Sequence, residues 1–157
     1  MPHFGLMDEA QMTREEAELM RAKLHLRSGR RQLLENKTAA GVATLYDALF
    51  SAMRWYILTR GLHLALPGDA AQNLENDGLV FSLLERAGIL TGDFELAKFL
   101  GIVEQAVAGE DCPADTKELL PQIDQLMTRL GVMPFDESEL PPEAPARHED
   151  NVAKSHP

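Results

Sequence analysis

Five basic residues, Lys23, Arg27, Arg30, Arg31 and Lys37, fall within 15 positions and are interrupted by a single acid, Glu35. At three- and four-residue spacing a helix gathers Lys23, Arg27, Arg30 and Arg31 on one side, which makes the cluster a candidate phosphate-contacting patch for RNA or another polyanion. No aromatic residue interleaves the cluster to stack bases, so a solvated charged face is the competing reading. Further along, Asp47 and Arg54 stand seven positions apart. On a helix that puts them on nearly the same side but roughly 10 Å from each other, so each needs its own partner and the two cannot act together. Tyr46, Arg54 and Tyr56 are candidate lining for a small-molecule pocket between helices.

Other chemistry finds little support. His25 and His63 lie in no Glu-x-x-His or His-x-x-x-His pattern that would put two metal ligands on one helix face. No G-x-S-x-G elbow and no glycine-rich phosphate loop occurs. Cys112, between Asp111 and Pro113, lacks the cationic neighbours that lower a thiol pKa. The residues therefore predict no catalytic group, no metal site and no cofactor.

Helices must position these side chains. Thr13 followed by Glu16 is a capping box, in which two side chains satisfy orphan backbone donors at a helix start. It predicts a first helix over about 14–35, bent or frayed near Ser28 and Gly29. Its apolar stripe is Met12, Leu19, Ala22, Leu26 and Leu33, with Glu16 and Arg30 in register. Thr38 is expected to cap a second helix that Gly61 ends in a left-handed conformation. A connection over 62–76 leads to a short third helix capped by Asn76 or Asp77 and stopped by Gly88. Asp93 opens a fourth helix to about Ala108, where Gly101 suggests a close helix contact. The fifth ends at Leu130, and Pro121 requires either a kink or a start near Leu120. No stretch alternates at strand period, so the expected fold is all-α: a single up-and-down bundle of about five helices.

The second helix, residues 38–61, has three charged side chains in 24 positions, Asp47, Arg54 and Arg60. That is too apolar for a helix with a free solvent face, and it reads as the central element. Val42, Leu45, Leu49 and Met53 centre one broad apolar face. Thr44, Ala48, Trp55 and Leu58 lie on the far side and imply a second packing surface, supplied by the domain itself or by a partner subunit. Trp55 is the candidate interface anchor.

Composition bounds the rest. The chain has 157 residues and a net charge of −10; residues 1–60 hold nine Lys or Arg against seven Asp or Glu, and residues 61–157 hold six against eighteen. This length suits one domain, expected at 13–133, after an N-terminal lead over 1–12 and before an acidic, proline-rich tail over 134–157 expected to be disordered. One cysteine excludes an internal disulfide. No apolar run is long enough for a membrane span, and the N-terminus lacks the basic and apolar regions of a secretory signal. Cytoplasmic residence is the expectation.

The stretch from Ala22 to Gly61 resembles the first two helices of HEPN-like domains, found beside nucleotidyltransferases and among prokaryotic ribonuclease toxins. Tyr46, Ala48, Phe50, Ala52 and Arg54 match a Y-x-A-x-F-x-A-x-R-like pattern, GLVFSLLERAGIL is similar to the family's short third helix, and ELLPQIDQLMTRLG to its last. The resemblance covers about 20–131. Active ribonucleases of the family carry an Arg-x4-6-His motif, which this sequence lacks. The resemblance thus implies a catalytically silent member that works by binding, as a homodimer. A noncatalytic interaction module is the leading expectation, an RNA-binding or RNA-cleaving protein the second, and a small-molecule binder the third.

Overall fold

A computed structural model describes residues 11–65, 74–90, 96–113 and 115–143. Five helices make an all-α bundle: α1 (Arg14–Leu34), α2 (Thr38–Arg60), α3 (Asp77–Arg86), α4 (Leu96–Val107) and α5 (Leu119–Leu130). Among the described residues there is no strand. None of these helices is long and apolar enough to cross a membrane.

As its composition requires, α2 is the hub and packs against each of the other four helices. Val42, Leu45, Leu49, Met53 and Ile57 are buried on its broad face, and Ala48 and Ala52 are buried on the flank. Each fully buried Leu or Ile stabilises by roughly 2 kcal/mol. Differences in helix propensity amount to about 0.5 kcal/mol per residue, so burial decides where α2 sits. Leu74 of the connection, Phe99 and Ile102 of α4, and Ile123, Leu126 and Met127 of α5 complete the same core.

Two glycines let α1 and α2 approach. A Cβ on Gly29 would lie 2.7 Å from Leu45 Cγ and 3.1 Å from the Leu45 amide nitrogen, and one on Gly41 would lie 2.9 Å from the Leu33 amide nitrogen. Each helix thus offers a glycine to a leucine of the other. α1 runs unbroken through Ser28 and Gly29, where fraying or a bend was expected, and Gly29 serves contact with α2. The close contact expected at Gly101 is absent, since a Cβ there would meet nothing within 4 Å.

The ends follow local chemistry. Thr13 Oγ1 accepts from the Glu16 amide at 3.1 Å, and the Thr13 amide donates to Glu16 Oε1 at 3.0 Å, completing the capping box. Thr38 is not the cap of α2: Lys37 holds that place without a side-chain bond, after a turn in which Asn36 takes a φ of 65°. Asn76 caps α3 through the Leu79 amide. The expected start of the fourth helix at Asp93 lies outside the described residues. Thr116–Glu118 form a 3-10 turn before α5, which leaves Pro121 in the first helical turn, where a missing N–H costs nothing.

The boundary expected at 133/134 moves. Residues 134–143 fold back along α1: Phe135 packs against the core, and Glu137–Glu139 form a 3-10 turn. The part of the expected tail beyond 143 lies outside the described residues. Sequence alone shows five prolines and few apolar side chains in this region; what holds its first ten residues is mainly charge, supplied by α1.

Candidate functional site

On the outer flank of α1, Glu143 places Oε1 2.8 Å from Arg31 Nε and Oε2 3.4 Å from Arg27 Nε. Arg30 reaches Asp124 of α5 at 2.7 Å through Nη2 and Glu137 at 3.7 Å through Nη1. Glu35 takes Arg31 at 3.2 Å and Lys37 at 3.4 Å. Lys23 lies over the Phe135 ring, 5.5 Å from its centre. The predicted basic cluster is therefore real as a helix face, but every member of it meets the chain's own acids or an aromatic ring. Toward the N-terminal end of the same flank, a groove of about 460 Å³ runs between α1 and the returning segment, lined by Met12, Leu19, Met20, Phe135 and Leu140, with Glu16, Lys23, Asp136 and Glu139 at its rim. Of the apolar stripe expected on the first helix, Met12 and Leu19 line this groove, whereas Ala22, Leu26 and Leu33 are buried in the core.

The opposite side of α1 buries charge. Glu18 is only 3% exposed. Arg54 Nε of α2 donates to its Oε2 at 3.0 Å, and Arg21 Nη1 stands 3.1 Å from its Oε1. Glu18 is thus the partner that Arg54 required, and Arg54 also lies 4.9 Å over the Phe50 ring. A polar cleft of about 530 Å³ opens beside this pair, lined by Thr13, Arg14, Ala17, Glu18, Arg21 and Glu75. Sequence reasoning passed over Glu18. The signal was available: Glu18, Ala22, His25 and Gly29 repeat at helical spacing, so an acid lies in register with the glycine that touches α2.

His25, one turn from Arg21, is also buried. Burial, and then the positive charge of Arg21, hold its imidazole below the ordinary 6.5. With the folded pKa depressed, the unfolded chain takes up a proton first as pH falls below 6.5. The stability that neutral His25 contributes is then present above about 6.5 and lost as pH drops toward the folded value. We expect the urea midpoint of the native chain to fall between about pH 7 and pH 5 more steeply than that of His25→Gln. Parallel curves for the two proteins would remove His25 as the cause.

The remaining candidates separate. Tyr46 donates its hydroxyl to Asp77 of α3 and sets its ring edge-on to Phe50 at 5.4 Å. Burial first, then the bond to Asp77, push the Tyr46 phenol well above its usual range. Tyr46 and Arg54 therefore share Phe50, while Tyr56 lies apart beneath Arg60 at 4.1 Å. The seam lined by Tyr46, Phe50, Met53, Phe81 and Phe99 is too tight to admit a water molecule.

Of the interface candidates, Ala48 is fully buried, and Thr44 donates its hydroxyl to the Ala40 carbonyl at 2.8 Å. Trp55 and Leu58 are half-buried against the core. Trp55 closes over the end of α5, its ring 3.5 Å from where a Cβ on Gly131 would stand. The domain itself thus supplies much of the second packing surface that α2 demanded. No family model, no curated protein and no solved structure matches this chain.

Proposed function

We propose that the chain is a noncatalytic helical interaction module that binds another protein, a second copy of itself included, through the outer flank of α1. The observation that carries this reading is the groove bounded by Met12, Leu19, Met20, Phe135 and Leu140, an apolar floor with a charged rim. A floor of that kind accepts an apolar anchor while the rim selects its flanks. The side chains singled out for a pocket are spent elsewhere: Arg54 on Glu18, Tyr46 on Asp77. The resemblance to HEPN-like domains accords with this reading, given five helices and a sequence without the ribonuclease motif.

Sedimentation over a wide concentration range tests it, with Met20→Glu as the comparison. Reversible self-association that Met20→Glu weakens by about tenfold or more supports the flank as the contact. Equal association by both proteins moves the contact elsewhere. Cleavage of added RNA by the purified chain would replace this reading with the ribonuclease one.

A further inference from the structure

Residues 137–143 sit on the arginine face as an occupant sits in a site. Their two outer acids, Glu137 and Glu143, meet Arg30 and the Arg27–Arg31 pair respectively, so one short acidic stretch spans three arginines. The fit is incomplete. Arg31 Nε donates to Glu143 in hydrogen-bond geometry, whereas Nε and Nη2 of Arg27 are buried with no hydrogen-bond partner. Buried charged donors without an acceptor are costly, and an occupant offering Arg27 a better-aligned oxygen would bind there more strongly than Glu143 does.

The segment is also weakly tied. Among the described residues its backbone bonds are local, from Glu139 to the Asp136 carbonyl and from Leu140 to the Glu137 carbonyl. Pro141 and Pro142 have no N–H to offer α1. What remains is Phe135 on the core, Leu140 at the groove beside α1, and ion pairs between partly exposed side chains, which salt screens and which contribute about 1 kcal/mol or less each.

We propose that the Arg27, Arg30 and Arg31 face of α1 is a binding site for a short acidic peptide segment of a partner protein, and that residues 137–143 hold it in the isolated chain as an internal competitor. The proposal rests on the interaction-module reading and names the partner's chemistry: two carboxylates spaced like Glu137 and Glu143, on a short segment that is not α-helical. A carboxylate peptide is favoured over RNA. The occupant seen presents its carboxylates from a 3-10 turn and the proline-containing run after it, and no aromatic side chain lies between the arginines to stack a base. Asp124 and Glu35, beside Arg30 and Arg31, would repel a continuing phosphate backbone.

The test uses the full chain and a fluorescent synthetic peptide of residues 135–143, followed by anisotropy. Glu137→Gln with Glu143→Gln should bind the peptide about tenfold more tightly than the native chain, because the competitor is weakened. The gain should vanish when Arg27→Gln and Arg31→Gln are added, when the peptide's glutamates are replaced by glutamine, and in about 0.5 M salt. Equal binding by the native chain and the double glutamine variant overturns the proposal. So does a gain seen only for a single-stranded RNA of similar length. Circular dichroism checks folding, and Glu143→Gln alone serves if the double variant is unfolded. Failure here with self-association intact removes the arginine site only; failure of both removes the module.

Discussion

Gly29→Ala is expected to lower stability by about 1–2 kcal/mol, and Gly29→Val by about 3 kcal/mol, although both replace a poor helix former inside a helix. The added Cβ of the alanine lies 2.7 Å from Leu45 Cγ, 2.8 Å from Leu45 Cδ2 and 3.1 Å from the Leu45 amide nitrogen. Leu45 has no exposed surface into which to retreat, so α1 and α2 must part. Separating them loosens the largest helix pair in the bundle and leaves gaps along Ala22, Leu26 and Leu33. Gly101→Ala is the internal control. It is an exposed position of α4 with nothing within 4 Å of its Cβ, and the same change there should stabilise by about 1 kcal/mol. Urea midpoints at constant slope read both. A neutral or stabilising Gly29→Ala would show that the helix pair adapts and that the close approach is not structural.

These two glycines show where sequence stops being legible. Gly29 and Gly101 both lie inside amphipathic helices, and composition gave the closer contact to Gly101 and the bend to Gly29. The difference lies in which face of each helix meets a neighbour, a property of the assembled bundle rather than of either segment. The capping box at Thr13, the left-handed Gly61 and the central place of α2 were legible because each follows from local chemistry or from an apolar surplus that only burial relieves. The basic face was legible as a face. Its neutralisation was not, because Glu137 and Glu143 lie more than a hundred residues away in a stretch whose prolines and acids read as tail. Arg54 drew attention and Glu18 did not, for the same reason: the partner of a buried charge is set by how two helices are rotated about their axes.

Glu18→Leu is expected to cost about 3 kcal/mol, among the largest effects of any single polar substitution here. The carboxylate is nearly inaccessible, and its removal leaves the Arg54 guanidinium, itself mostly buried, over the Phe50 ring without its hydrogen-bonded carboxylate, although the charge of Asp47 still acts on it. Arg21 is more exposed and can turn to water, which lowers its share of the loss. Glu18→Gln keeps volume and an acceptor for Arg54, so about half the loss is expected. The decisive protein is Glu18→Leu with Arg54→Met. If the loss comes from a stranded charge, removing that charge recovers most of it, since a buried ion pair and apolar residues of similar volume are often close in stability. If Glu18 instead acts through shape alone, the two losses add. A double-mutant cycle by urea denaturation distinguishes these outcomes: a coupling of about 2 kcal/mol supports the ion pair, and additivity within about 0.5 kcal/mol sinks it. A strong coupling would make Glu18 and Arg54 the electrostatic latch between α1 and α2, on the side of α1 away from the arginine face. Changes that open the outer flank could then be made without loosening the helix pair that supports it.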